Sequence, residues 1–322
     1  MIRTSVKSFI SKEYKMKKIF LTAALMIAVL VSWAQQDAMF THYSFNTLAV
    51  NPGYAGSRDA LTVTLLNRSQ WVSFPGAPTT QTLTMHAPVA NEKVGVGFSI
   101  LNDKIGPTSQ ISFFGDFAYK IKVGKGKLAF GLKGGFNMVT LDINSLTTTQ
   151  PNDPAFQENV QSKMLPNVGA GAYYSTAKYY VGLSTPRLLE NNFSTDATSV
   201  ASSEQRHYFF IGGAIFNLNP SGSIKLKPTT FIKVTSGAPV EMDLTALFYL
   251  NDAFWAGPMF RTGDAVGLLG GMNIMENLSF GYSYDWSFAN RTGEYNGGSH
   301  ELMLRYDFFF NHQKKIKSPR YF

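Results

Sequence analysis

The chain has no cysteine, which excludes a disulfide framework, a thiolate metal centre and an acylated amino-terminal Cys. Histidine is sparse as well. His42, His86, His207, His300 and His312 are scattered, and none forms a metal-ligand pair of the HExxH kind. There is no strained nucleophile turn of the G-x-S-x-G form, so His300-Glu301 beside Ser283 and Asp285 reads as turn and wall residues rather than a hydrolase site. Asp142, Asp153 and Glu158 lack EF-hand spacing and read as a solvated loop. No catalytic, cofactor or metal site is read from the sequence.

A long hydrophobic run is missing too. The mostly apolar stretch from Ile19 to Val31 is too short to span a bilayer as a helix. It follows Lys15, Lys17 and Lys18 and precedes Ser32-Trp33-Ala34, a small-x-small cleavage pattern, so residues 1–34 read as a cleaved signal peptide with Met16 as an alternative start. The formal charge of +8 is concentrated at the ends, since removing residues 1–34 leaves roughly +3 and Lys314, Lys315, Lys317 and Arg320 carry most of the rest. The body is nearly neutral and lacks the basic face that nucleic acid requires.

What the chain does have is alternation. From Ile111 to Val123 the apolar residues Ile111, Phe113, Phe117, Tyr119, Ile121 and Val123 occupy odd positions, with Asp116, Lys120 and Lys122 between them. From Glu301 to Phe310 the even positions are Leu302, Leu304, Tyr306, Phe308 and Phe310, with Glu301, Arg305 and Asp307 on the other parity. Successive side chains of a strand face opposite ways. One set can therefore meet lipid while the charges face a lumen, avoiding a cost of about 2 to 4 kcal/mol for each Lys or Arg at the lipid midplane.

Such stretches lie near 60–68, 79–87, 94–102, 109–123, 127–141, 167–175, 179–184, 206–217, 224–234, 240–250, 253–261, 265–274, 278–287 and 300–310. The fold class is thus an all-β, antiparallel transmembrane barrel of about 14 strands. Connections after even strands are short, whereas the longest, near 142–166, 185–205 and 288–299, follow odd strands. This asymmetry puts short turns and both termini in the periplasm, and long loops outside the cell. A secreted soluble β protein also alternates, but 26 Phe and 15 Tyr suit interfacial girdles. Glycines inside strands, such as Gly95, Gly131, Gly171 and Gly213, suit a curved wall or close backbone packing.

The resulting organisation is a signal peptide at 1–34, an amino-terminal segment at 35–59, a barrel at 60–310 and a basic periplasmic tail at 311–322. A barrel of this size is too wide for wall side chains to fill. Gln35 to Arg58, with turn signals at Asn51-Pro52-Gly53 and Ala55-Gly56, can fold into the lumen as a partial plug or line the periplasmic rim. Arg68, Glu241, Asp243, Arg261, Asp285, Glu301 and Arg305 fall on the last five strands and the first, which adjoin when the barrel closes. They are expected to form a lumenal ionic network across the seam, or simply a hydrophilic lumen. The tail ends in Ser318, Pro319, Arg320, Tyr321 and Phe322, either a docking peptide or a disordered end.

The stretch from Met39 through Ser57, followed by Asn67-Arg68-Ser69-Gln70-Trp71, resembles the opening of the PorP/SprF family of type IX secretion system outer-membrane proteins. Further similarity follows in order, at Asp153-Pro154-Ala155-Phe156, Tyr180 to Ser184, Leu226-Lys227-Pro228, Gly237-Ala238-Pro239, Phe260 to Ala265, Gly281 to Asp285, Gly298 to Tyr306 and Lys315 to Phe322. Asn51, Pro52, Gly53, Trp71 and His300 are positions of these motifs. The resemblance implies a non-enzymatic outer-membrane part of the secretion and gliding apparatus of Bacteroidota, resident in the cell outer membrane. Its implied partners are membrane lipid, periplasmic lipoproteins of the machinery and the C-terminal domain of a secreted adhesin. The residues alone leave a passive porin or small-solute transporter as the alternative.

Overall fold

A computed structural model describes residues 38–89, 92–142, 160–192, 204–288 and 294–309. The first half of the wall consists of β1 (Leu61–Ser69), β2 (Thr79–Val89), β3 (Val94–Ile105), β4 (Thr108–Val123), β5 (Gly126–Leu141), β6 (Val160–Ser175) and β7 (Tyr179–Thr185). It continues with β8 (His207–Ala214), β9 (Phe216–Asn217), β10 (Ile224–Thr235), β11 (Glu241–Leu250), β12 (Phe254–Arg261), β13 (Ala265–Met275), β14 (Leu278–Ser287) and β15 (Ser299–Phe308). Apart from β8 and β9, which both pair with β10, each strand pairs antiparallel with its sequence neighbours, and β1 pairs with β15 from Leu61↔Phe308 to Ser69↔His300. The sheet closes without an edge, as lipid-embedded backbone requires.

β8 breaks at Ile215 and resumes as β9 against the same partner, β10, so the two form one wall strand and the barrel has fourteen. β6 begins earlier than the alternation suggests. The long β5 offers it a partner through Met138↔Met164, and a register shift lies between Val139 and Leu141. Pro166, which looks like a turn residue in sequence, sits within β6 opposite Phe136.

The outer face is apolar. Leu132, Leu183 and Leu268 are more than 60% exposed (64%, 61% and 67%), a pattern that suits lipid as the solvent. Arg68, Asp116, Lys133, Lys227, Asp243, Arg261, Asp285 and Glu301 face inward and are buried. A solvent-facing wall inside would leave them wet; what buries them is the chain segment ahead of β1.

Candidate functional site: a plug anchored across the lumen

The described residues 38–58 lie within the lumen. They include the one-turn helix α1 (Thr47–Val50) and a 3₁₀ turn at Pro52–Tyr54. Thr41 and His42 contact the wall near the end that carries the β14–β15 connection, while Gly56 and Arg58 contact it at the opposite, short-turn end. The segment thus crosses the barrel lengthwise before the chain enters β1.

Its upper anchor is ionic. Glu301 and Arg68 face each other across the closing seam, with Arg68 Nη1 at 3.3 Å from Glu301 and 2.8 Å from Asp285. The plug inserts into this pair. The Thr41 amide donates to Glu301 Oε2 at 2.8 Å and the His42 amide to Oε1 at 2.6 Å, while His42 Nδ1 lies 2.7 Å from Oε1. The Thr41 hydroxyl donates to Asp285 at 2.6 Å and accepts from Arg68 at 2.8 Å. Charge-assisted bonds of this kind are shorter and stronger than neutral ones, and they satisfy charges that would otherwise be costly to bury.

Arg261 continues the cluster. It grips Asp243, its register partner, with Nε at 2.9 Å and Nη2 at 2.8 Å, and lies 3.8 Å from Glu241 and 3.7 Å from Asp285. Glu241 also pairs with Lys233 at 2.8 Å. Arg305 stands apart from these acids. It donates to Ser279 at 3.3 Å and lies 5.4 Å over the Phe45 ring.

Below the anchor the plug is apolar. Phe45 stacks on Trp255 at 4.6 Å and packs with Leu247, Met259 and Met303, whereas Tyr43 stacks on Phe231 at 5.2 Å. The Tyr43 hydroxyl shares hydrogen bonds with Thr229 (2.8 Å) and Thr245 (3.1 Å), bridging β10 and β11. Each fully buried large apolar side chain contributes about 1.5 to 3 kcal/mol.

The Asn51-Pro52-Gly53 motif forms the 3₁₀ turn. Asn51 Oδ1 accepts from Gly53 N at 2.8 Å, and its Nδ2 donates to the carbonyls of Ala172 (3.1 Å) and Leu183 (3.4 Å). Wall glycines make room for it: a Cβ on Gly131 would sit 2.2 Å from Gly53 N, one on Gly171 2.3 Å from Asn51 Oδ1, and one on Gly182 2.6 Å from Asn51 Nδ2. The strand glycines of β5, β6 and β7 are therefore the socket of the turn. At the base, Arg58 pairs with Asp307 at 2.7 Å and Lys120 Nζ donates to the Gly56 carbonyl.

The other motif positions lie outside this site. Trp71 adopts φ 44° and its amide donates to Ser299 Oγ at 3.2 Å, holding the β1–β2 loop to the start of β15. His300 points outward, with Nδ1 2.7 Å from the Tyr282 hydroxyl, so His300 and Glu301 face opposite sides of the wall. Ser318, Pro319, Arg320, Tyr321 and Phe322, like residues 1–34, read in sequence as a signal peptide, fall outside the described residues. Thr41, His42 and Arg58 carry the anchors but have no sequence signal of their own; Thr41 and His42 fall within the amino-terminal motif, and Arg58 follows it directly.

Beside the plug remains a pocket of about 40 Å³, lined by Phe40, Val50, Phe114, Lys133, Arg187 and Phe209 among others. That volume suits a few waters. Among the described residues no group of three or more His, Asp or Glu could hold a metal.

Two solved structures are similar to this chain. CymD, described as a monoaromatic hydrocarbon channel, is 11% identical, with a TM-score of 0.52 over 83% of this chain and 93% of that one. The outer membrane protein Omp33 of Acinetobacter baumannii is 8% identical, with a TM-score of 0.45 over 78% of this chain and 99% of that one. At such identities the likeness to CymD extends to fold alone. A search of curated protein sequences finds no match. Residues 32–306, which hold the plug, its upper anchor and nearly the whole wall, match the family described as type IX secretion system membrane protein PorP/SprF, and the chain belongs to that family.

Proposed function

We propose that the protein is a non-enzymatic component of the type IX secretion and gliding apparatus. It supports export and surface anchoring of large adhesins by binding their C-terminal domains, and it touches periplasmic lipoproteins of the machinery. The observation that carries this reading beyond family membership is the plug. A passive porin needs a continuous aqueous lumen, and here Tyr43, Phe45, Leu48 and Tyr54 are buried across it.

The asymmetry of the connections supports a barrel whose long loops face outward. In that orientation β1 starts and β15 ends at the periplasmic rim, and the tail at 311–322 is periplasmic. Thr41 and His42 then stand near the outer mouth, so the amino-terminal end of the described chain is lumenal rather than periplasmic. A cargo domain arriving outside would meet long loops backed by a rigid, filled barrel.

The test is affinity purification of the tagged mature protein from native outer membranes in mild detergent, with mass spectrometry of co-eluting proteins. Recovery of a large surface protein through its C-terminal domain, together with periplasmic lipoproteins, is the expected result. A barrel that elutes alone and conducts ions in planar bilayers would replace this reading with the second one, a passive porin or small-solute transporter.

A further inference from the structure

Positive charge collects on one sector of the short-turn rim. Around the turns that join β2 to β3, β4 to β5 and β6 to β7 stand Lys93, Lys122, Lys125, Lys127 and Lys178, all exposed, and the carboxylate described among them is Glu92. Across the rim the charges balance better, with Asp252 and Glu276 against Lys225, which pairs with Asp252 at 2.6 Å.

The chain does little to neutralise the lysine sector. Lys122 and Lys127 are direct register partners, and like charges set opposite each other destabilise a sheet. Lys127 reaches Glu92 at 3.2 Å, but both side chains meet water (53% and 36% exposed), where an ion pair is screened and weak. The sequence after β15 adds Lys314, Lys315, Lys317 and Arg320 and no Asp or Glu, so it increases the excess.

Parity fixes the direction in which the sector faces. Lys122 shares the lumenal side of β4 with Asp116 and Lys120, and Lys127 shares that of β5 with Lys133, whereas Ile121, Val123 and Phe130 take the lipid side. Tyr174 and Tyr179 also take the lipid side at this rim, and the Tyr174 hydroxyl donates to the Val123 carbonyl at 3.3 Å, as suits an interfacial belt. The lysines therefore border the mouth and not the lipid head groups. Lys120, the next lumenal residue along β4, donates to the Gly56 carbonyl, so the sector adjoins the base of the plug.

We propose that this sector is the docking surface for an Asp- and Glu-rich segment of a periplasmic protein, lying across the mouth beside the base of the plug. The inference rests on the reading that places the short turns in the periplasm, and it deepens that reading by naming the surface and the chemistry of the periplasmic contact. Charge complementarity of this kind steers association and selects the partner.

The experiment measures binding of a fluorescent oligoglutamate peptide to the purified full chain in neutral detergent, with a serine-glycine peptide of equal length as control. Folding is checked by the shift in gel mobility between unheated and heated samples. The wild-type protein binds oligoglutamate at least about tenfold more tightly than the control, and the preference falls as salt rises. The triple variant Lys122→Gln, Lys125→Gln, Lys127→Gln loses the preference, whereas Lys104→Gln at the long-loop end keeps it. Equal binding of the two peptides, or unchanged binding by the folded triple variant, overturns the proposal. Displacement of the peptide by phosphatidylglycerol also overturns it, making the sector a lipid head-group site. Should the triple variant not fold, Lys125→Glu, in the exposed turn, decides alone. Orientation is read separately with a membrane-impermeant amine reagent, which is expected to modify Lys125 only after the outer membrane is opened. Modification in intact cells overturns the periplasmic partner even where the peptide binds.

Discussion

His42 and Glu301 meet at 2.7 Å, both fully buried, although 259 positions separate them in the chain. This contact joins the start of the plug to the last strand of the wall, and the Glu301 carboxylate also accepts the amides of Thr41 and His42. One side chain thus satisfies two backbone donors and faces an imidazole and a guanidinium.

Replacing Glu301 by Gln keeps the shape and removes the charge, leaving Arg68 with Asp285 alone. Disrupting a buried ion pair from one side costs about 3 to 5 kcal/mol. The expected outcome is a barrel that unfolds at markedly lower urea, followed by the loss of gel-mobility shift, with residues 38–58 opened to added protease.

The Tyr43 hydroxyl bridges two strands by neutral hydrogen bonds, and Tyr43→Phe removes it while keeping the ring on Phe231. The loss should be about 1 kcal/mol per bond at most, visible as a modest shift of the urea midpoint. A loss as large as that of Glu301→Gln would mean that the hydroxyls of Thr229 and Thr245 have no other partner to turn to.

Gly131 is a socket residue. Gly131→Ala places a methyl 2.2 Å from Gly53 N, so the turn must move, whereas a Cβ on Gly134, three positions on in the same strand, meets nothing within 4 Å. The first variant should raise protease sensitivity of the plug and the second should leave it unchanged. Equal behaviour of the two would remove the close approach as an explanation of these glycines.

Gly257 tests the wall itself. Its Cβ would lie 1.8 Å from the Ala246 carbonyl oxygen, at the point where β11 and β12 lack register pairs between Thr245↔Met259 and Phe248↔Ala256. Pro258 has no amide hydrogen to give there. Gly257→Ala should destabilise the folded barrel in urea, with the plug contacts intact by proteolysis until the wall unfolds.

Deleting residues 38–56 should convert a poorly conducting barrel into an open one in planar bilayers. A wild-type protein that already conducts as well as the deletion variant would show that the plug is not the barrier.

The wall was legible in the sequence because membrane solvent enforces parity. The charges in β4 and β15 fall on one side of the alternation, and that is enough to place the strands. β6 was legible only in part, because Pro166 resembles a turn and the pairing that extends the strand comes from the distant β5. The ionic cluster could be listed as inward charges, yet its partition could not be foreseen. Arg305 faces the lumen as Glu301 does, but it meets Ser279 and an aromatic ring. Parity gives the side of the wall; height, strand tilt and the plug decide which charges touch. Thr41 and His42 were hidden for a related reason, since a segment with no regular periodicity declares its partners only when the barrel surrounds it.

The segment ahead of the wall leaves the ribosome before any of it, yet Glu301 and Asp307, which hold its two ends, lie on the strand made last. No early portion of the chain can give the plug its final seat, and contacts so distant in sequence are slow to form. A truncated or stalled barrel is left with Arg68 and Arg58 lacking their acidic partners, so completion of the last strand is also the step that seals the interior.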